Sequence, residues 1–206
     1  MVMKVLSTNV ASPRPDPGGA DRISGIDKRP QAYIDVAAPG PHYGDGSGVA
    51  GDVIGDVKHH GGAQKAVYAY EREELNYWAK ELGRAFPDGA FGENLTVTGL
   101  DLSRLLINQR LRVGTAQLEV SVVRQPCRTF AGWVGEPGWV KTFSRRGRTG
   151  AYFRVNVPGR IAAGDEIVLL SAPSHDVDML TAFRAAQGDK AAARRVVDAA
   201  CMPEMY

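Results

Sequence analysis

The segment Gln117-Leu118-Glu119-Val120-Ser121-Val122 alternates apolar and polar residues without a break, the period-two signature of a half-buried β-strand. Its surroundings continue the pattern. Arg110 to Val113 lies just upstream, across Gly114-Thr115, at the spacing of a hairpin. Tyr152 to Val157 alternates too, with Phe153, Val155 and Val157 on one face. Pro158-Gly159 then turns the chain, and Glu166 to Leu170 reads as a further strand. Toward the N-terminus, Val2 to Val10, Gln31 to Val36 and the apolar run Ala66 to Tyr70 are strand candidates. They are separated by Ser12 to Gly19, with its three prolines, and by the Gly-rich stretch Pro39 to Gly51. Strands outnumber helices, and no regular strand–helix alternation is present. The expected fold is mostly β: a closed or partly closed antiparallel barrel with a few short helices, rather than a doubly wound sheet.

One internal helix is legible. Leu75, Trp78, Ala79 and Leu82 fall on one face of Glu71 to Leu82. Glu71, Glu73 and Glu74 crowd its first turn, where the helix dipole favours them, and Gly83 is a stop signal. After Pro173 the composition changes, and Asp178 to Ala186 and Ala191 to Ala200 read as helices. The chain therefore divides into a barrel domain, residues 1–173, and a short helical C-terminal tail, residues 174–206.

The 206 residues are 44% hydrophobic and 23% charged, enough to bury a core without staples. A net charge of +2 argues against a nucleic-acid polymer as partner. Met1 to Asn9 lacks the apolar run of a signal peptide, and no stretch approaches the roughly 20 apolar residues of a membrane span. Cys127 and Cys201 make no disulfide framework. A reducing, cytoplasmic setting is expected, with no membrane association.

Candidate chemistry clusters in a few places. Cys127 follows the deciding strand, between Arg124 and Arg128, with Pro126 stiffening the approach. Cations favour the thiolate, which is both nucleophile and soft-metal ligand; a lone cysteine is also a common core filler. Lys58-His59-His60-Gly61-Gly62-Ala63-Gln64-Lys65 gathers cations and imidazoles around paired glycines. It reads either as an anion cradle completed by Lys58 or Lys65 or as a solvated basic turn. Zinc on His59, His60 and Cys127 is disfavoured, because adjacent histidines point apart on an extended chain and no ligand spacing supports it. Asn94, in Phe91-Gly92-Glu93-Asn94-Leu95, can read a heterocycle edge or hold a turn. In the cluster Arg145-Arg146-Gly147-Arg148, Arg145 and Arg146 read as solvated, whereas Arg148, with Arg154, brackets a buried strand and suits an oxyanion. Gly46 to Gly51 matches G-x-G-x-x-G but lacks the flanking strand and helix of a dinucleotide site, so it reads as a loop.

The ordered set Gly51-Asp52, His59-His60-Gly61-Gly62, Lys65-Ala66-Val67-Tyr68, Phe91 to Leu95, Arg124-Gln125-Pro126-Cys127 and Pro158-Gly159 with Ala163-Gly164-Asp165 resembles the MOSC domain. The domain is named for the C-terminal part of molybdenum cofactor sulfurase. The likeness spans roughly residues 20–172 and is greatest to the small bacterial branch linked to resistance against N-hydroxylated bases such as 6-hydroxylaminopurine. The resemblance implies a MOSC β-barrel that binds the molybdenum cofactor, a pterin dithiolene bearing a phosphate. Cys127 would be the molybdenum ligand and catalytic residue of a reductase. Lys58, His59, His60, Gly61, Gly62, Lys65, Asn94, Arg124, Arg148 and Arg154 would line the cofactor pocket. The alternative is a sulfur carrier or cofactor-binding module using a Cys127 persulfide, without its own turnover. A reductase would act on a small N-hydroxylated substrate with electrons from a separate reductase, since two cysteines cannot hold an all-cysteine iron–sulfur cluster. No pyridoxal phosphate is expected. Where the family has Ile-Gly-Asp before a strand, this chain has Ile107-Asn108-Gln109. Its tail is also shorter than the three-helix unit common in that branch.

Overall fold

The computed structural model describes residues 2–203. Its strands are β1 (Lys4–Ala11), β2 (Arg14–Pro15), β3 (Ile23–Ser24), β4 (Lys28–Gln31), β5 (Tyr33–Val36), β6 (Val67–Glu71), β7 (Leu95–Thr98), β8 (Arg110–Val113), β9 (Ala116–Val120), β10 (Ala151–Val157), β11 (Gly159–Ala162) and β12 (Ile167–Leu169). Its helices are α1 (Arg72–Leu82), α2 (Arg128–Val134), α3 (Trp139–Arg146), α4 (Met179–Ala186) and α5 (Lys190–Ala199). Eight strands form one curled sheet in the order β12-β8-β9-β10-β6-β7-β1-β4. The expected hairpin lies toward its β12 end. β8 and β9 pair with Val113 opposite Ala116, and Leu111, Val113, Ala116, Leu118 and Val120 point into the core. Gly114 turns the hairpin at φ +56, where a Cβ would meet the Arg160 carbonyl at 2.4 Å.

The curl closes on itself. One edge of β1 is shared: its second half pairs with β4, from Thr8 to Ala11. Its first half bridges the lead-in to β12, through Val5 N–H to the Asp165 carbonyl (2.9 Å) and Ile167 N–H to the Met3 carbonyl (2.8 Å). The run Gln31 to Val36 is thus two strands. β4 serves the large sheet, and β5 leaves it to pair with β11.

One pair departs from the antiparallel expectation. β6 and β7 run parallel, as their link through α1 requires, because a parallel return needs a crossover. β6 is buried along its whole length. Val67 and Ala69 face the barrel core, while Tyr68 and Tyr70 face a second, aromatic core. That second core is built from Leu75 and Trp78 of α1, Phe91, Phe130 of α2, and Trp139 and Phe143 of α3. α2 and α3 were not legible in the sequence. They are seven and eight residues long, too short to stand on propensity alone, and are held by the rings they bury. α1 ends on Gly83 in the left-handed conformation, as expected.

The tail helices start on side-chain caps. Asp178 accepts from Thr181 N–H, and Asp189 from Ala191 N–H and Ala192 N–H. Met179, Ala182, Phe183 and Cys201 belong to the same buried cluster as the barrel interior. Among the described residues, no helix is long and apolar enough to cross a membrane.

The aromatic core gives a stability expectation. Phe91 is fully buried, with the rings of Tyr70, Phe86, Phe130, Trp139 and Phe143 5.0–6.0 Å from its own. Phe91→Ala should cost about 3–5 kcal/mol in urea unfolding. A loss below about 1 kcal/mol would show that the cluster is not a packed core.

Candidate functional site

The cleft lies where barrel and aromatic core meet, and holds about 110 Å³. Three regions wall it: the segment from Arg22 to Lys28, the loop from Asp52 to Gly61, and the stretch from Arg124 to Thr129 that leads from β9 into the first turn of α2. Lys65, Tyr68, Asn94 and Tyr152 complete it.

Its floor is a buried ion pair. The side chains of Lys28 and Asp52 are 6% and 1% exposed, and the two bond directly. Asp52 also accepts from Ala11 N–H (2.9 Å), Ser47 Oγ (3.2 Å) and Asn94 Nδ2 (2.9 Å). Burial pulls the Lys28 pKa below that of an ordinary lysine, against the opposing charge of Asp52. Beneath lies Glu93, fully buried, accepting from Gly89 N–H, Phe91 N–H and Thr96 Oγ1. Burial pushes its carboxyl up to about 6.

Arg124 forms one wall. It is 6% exposed, its guanidinium 3.8 Å from the centre of the Phe130 ring and 4.9 Å from that of Tyr68. Nη1 donates to the Tyr68 hydroxyl at 3.1 Å. Burial opposes its charge, but Tyr68, Tyr152 and Cys127 outweigh burial and raise its pKa. Lys65 donates to the His59 carbonyl (2.7 Å) and lies over the rings of Tyr43 and Tyr152. Burial lowers it to about 8, although Asp56 and Cys127 act the other way. Half-buried Cys127 caps α2 and packs its side chain against the aromatic core.

Of the residues read from sequence, Cys127, Arg124, Asn94, Lys65, His60 and Gly61 come together in this cleft. Asn94 does so as scaffold: Oδ1 accepts from Tyr68 N–H (3.2 Å), while Nδ2 serves Asp52. Lys58 and His59 are exposed on the outer side of their turn, where His59 Nδ1 lies 3.1 Å from Asp56 Oδ2. Gly62 is needed for a close approach, since a Cβ there would meet the His42 carbonyl at 2.2 Å. Arg128 is exposed. Arg148 lies elsewhere, bidentate to Asp101 at 3.0 and 2.9 Å. Arg154 is also outside the cleft, bonded to Glu119, to Gln64 (2.7 Å) and to Asn108. In the Gly46-to-Gly51 loop, Gly48 passes 2.6 Å from the Ala66 Cβ by the same test, so the glycine there serves packing.

Reading by sequence missed Arg22, Lys28, Asp16, Asp56, Thr129 and Tyr152. Arg22 clasps Asp16 (2.7 Å) and Asp56 (3.0 Å) across the mouth, and Thr129 donates to Asp16. Only Tyr152 left a signal, as a large aromatic on the polar face of an alternating strand.

The fold and this cleft define a β-barrel with a thiol and cations at one end. Residues 56–168 match the MOSC domain. The chain is 33% identical to YflK of Bacillus subtilis over 206 residues, covering 98% of this chain and 90% of that one. The crystal structure of YiiM from Geobacillus stearothermophilus superposes with a TM-score of 0.77 at 28% identity, over 98% of this chain and 94% of that one. A protein of Gibberella moniliformis named "Reductase" is 34% identical over 139 residues, 65% of this chain but only 24% of its own length. The chain belongs to the MOSC domain family.

Two measurements check the site. Asp52→Ala strands a buried lysine and should cost about 3–5 kcal/mol; Lys28→Met together with Asp52→Asn should recover most of that loss. Equal losses in the two variants would mean the pair is not the floor's support. His60 is held down to about 4, first by burial and then by Lys65. Its folded pKa is depressed, so its contribution to stability is present above about 6.5 and is lost as pH falls through about 4. An NMR titration of the folded protein should show its imidazole midpoint near 4; a midpoint near 6.5 would refute the buried placement.

Proposed function

We propose that this chain binds the molybdenum cofactor and reduces N-hydroxylated bases or related N-oxygenated compounds, with Cys127 as molybdenum ligand and a separate reductase as electron source. The observation that carries this reading is Arg124. A guanidinium this deeply buried, with no carboxylate partner among the described residues, sits beside a thiol in an open cleft. It suits an anionic ligand that also offers something for sulfur to bind, and a pterin phosphate with its metal is both.

The donor set fits the group. Among the described residues there is no trio of His, Cys, Asp or Glu placed to hold a metal ion by itself. A cofactor that brings its own dithiolene sulfurs needs one protein thiolate, and Cys127 is available in the cleft. When bound, the cofactor supplies the two-electron chemistry that the side chains lack. The protein's part is binding and enclosure. Arg124 and Lys65 would take up negative charge, neutral His60 would offer a hydrogen bond without adding charge, and the Tyr152 ring would cover a flat face. The name "Reductase" on a relative that this chain spans for about a quarter of its length and the family match support the reading. The rival is a carrier holding a persulfide on Cys127, for which the half-exposed thiol also suffices.

Expression in a host that makes molybdenum cofactor separates the two. Wild type should carry molybdenum and pterin and reduce an N-hydroxylated purine when given an electron donor, whereas Cys127→Ala should keep pterin and lose metal. Wild type with neither, but with cyanide-labile sulfur on Cys127, sinks the reductase reading and leaves the carrier. Arg124→Gln should weaken pterin retention roughly ten- to a hundredfold, the worth of one charge-assisted contact. Undiminished retention would remove Arg124 from the binding set.

A further inference from the structure

Resting on the reductase reading, we propose that the face formed by α3 and α4 docks an acidic one-electron carrier protein of the flavin or iron–sulfur class. Two adjoining grooves run along this face and share Ser144, Arg145 and Gln187. Six cations line them against two acids, Glu136 and Asp189. Three of the cations are committed: Arg104 to Asp178, Arg146 to Glu74 and Arg148 to Asp101. The other three, Lys141, Arg145 and Arg184, are exposed and have no ion-pair partner among the described residues. Lys141 and Arg145 stand four residues apart on α3 and so share a face. Asp189 is itself spent on capping α5. Beside this charge Val140 is 40% exposed, giving an apolar spot within a basic rim. A small, charge-steered surface of this kind suits a transient encounter.

The surface is also connected to the cleft. Trp139 floors one groove and is 1% exposed. Its ring is 5.6 Å from Phe130, and Phe130 lies under the Arg124 guanidinium at 3.8 Å. Cys127 packs against the same aromatic cluster. The groove floor and the thiol therefore border one continuous aromatic cluster. Reduction of an N-hydroxyl group takes two electrons and two protons; the N–O bond breaks, an N–H bond forms and water leaves. A one-electron carrier, oxidised at each visit, docks twice per turnover, which favours a weak and rapidly released contact.

The test uses the full chain loaded with cofactor and a reduced, acidic [2Fe–2S] ferredoxin as probe. It compares Arg145→Glu/Arg184→Glu with a control of equal charge change, Lys80→Glu/Arg112→Glu. Ferredoxin binding, its salt dependence and turnover are measured separately, and turnover is also driven by reduced viologen, which needs no docking face. The patch variant should lose at least tenfold in ferredoxin binding and ferredoxin-driven rate, with a flattened salt dependence. Its viologen-driven rate should stay within twofold of wild type. Equal ferredoxin binding by the two variants overturns the docking site, and viologen-driven turnover then still stands for the reductase reading. Patch-dependent ferredoxin binding without turnover from either donor keeps the docking face and removes the reductase reading. Patch-dependent binding of duplex DNA, with none of ferredoxin, overturns the proposal.

Discussion

A carboxylate taken out of water must be surrounded by donors, and Asp52 draws its donors from four separate parts of the chain. Ala11 comes from β1, Lys28 from β4, Ser47 from the Gly-rich loop and Asn94 from the turn before β7. Strand pairing sets β4, β1 and β7 side by side, with Ala11 opposite Lys28. The charge adds the Ser47 loop and aims all four donors at one point, because each donor turned away would leave a buried oxygen short of a bond. Asn94 passes the constraint on: its side-chain oxygen takes Tyr68 N–H, and its own N–H donates to the Tyr68 carbonyl. The wall strand β6, and with it Tyr68 beside Arg124, is set from the same point. A break at Asp52 therefore reaches the cleft floor and one of its walls together.

β6 carries the other half of the arrangement. In most antiparallel sheets one face is wet and the strand alternates. Here both faces are covered, so the sequence reads as an apolar run, Val67-Tyr68-Ala69-Tyr70. Small or branched residues face the barrel and tyrosines face the rings. The tyrosine hydroxyls do not go unpaired. Tyr68 donates to the Thr149 carbonyl and Tyr70 to the Arg148 carbonyl, at 2.7 and 3.2 Å. Those bonds tie the turn after α3 to the back of the barrel and complete the aromatic layer between the α3 surface and the cleft.

Period and punctuation made much of this fold legible. The β8–β9 hairpin, β10, α1 with its glycine stop and both tail helices follow from local pattern. Tertiary placement did not. Alternation says that Tyr152, Arg154 and Asn156 share a face of β10, but not how far along that face the cleft extends. Tyr152 is in it; Arg154, two residues on, lies directly across from Glu119 and is consumed by that cross-strand pair. Arg148 is lost to Asp101 in the same way, through a partner 47 positions away. Lys28 gave no signal, because nothing local marks a lysine that will be buried against Asp52. The Ile107-Asn108-Gln109 departure has a physical answer. Asn108 takes φ +66 where a glycine would be at ease. Its side chain then holds the Cys201 carbonyl at 2.9 Å and accepts from Arg154. A residue that only needed to turn the chain also pins the tail to the barrel.

The remaining question of charge at the cleft can be worked through acid by acid. Asp16 accepts from Arg22, Gly18 N–H and Thr129. Asp56 is shared by Arg22 and His59, and Asp52 is saturated by Lys28 and its other donors. Burial keeps Glu93 near 6 and already bonded three ways. Among the described residues no acid is left for Arg124, whose compensation is ring faces, the Tyr68 hydroxyl and Cys127. Cation–π contacts of this kind are worth about 0.5–2 kcal/mol each, and with Tyr68, Tyr152 and Cys127 they outweigh burial and keep the guanidinium charged. The wall beside Cys127 therefore carries a full positive charge that aromatic groups and a thiol, rather than a carboxylate, hold in place.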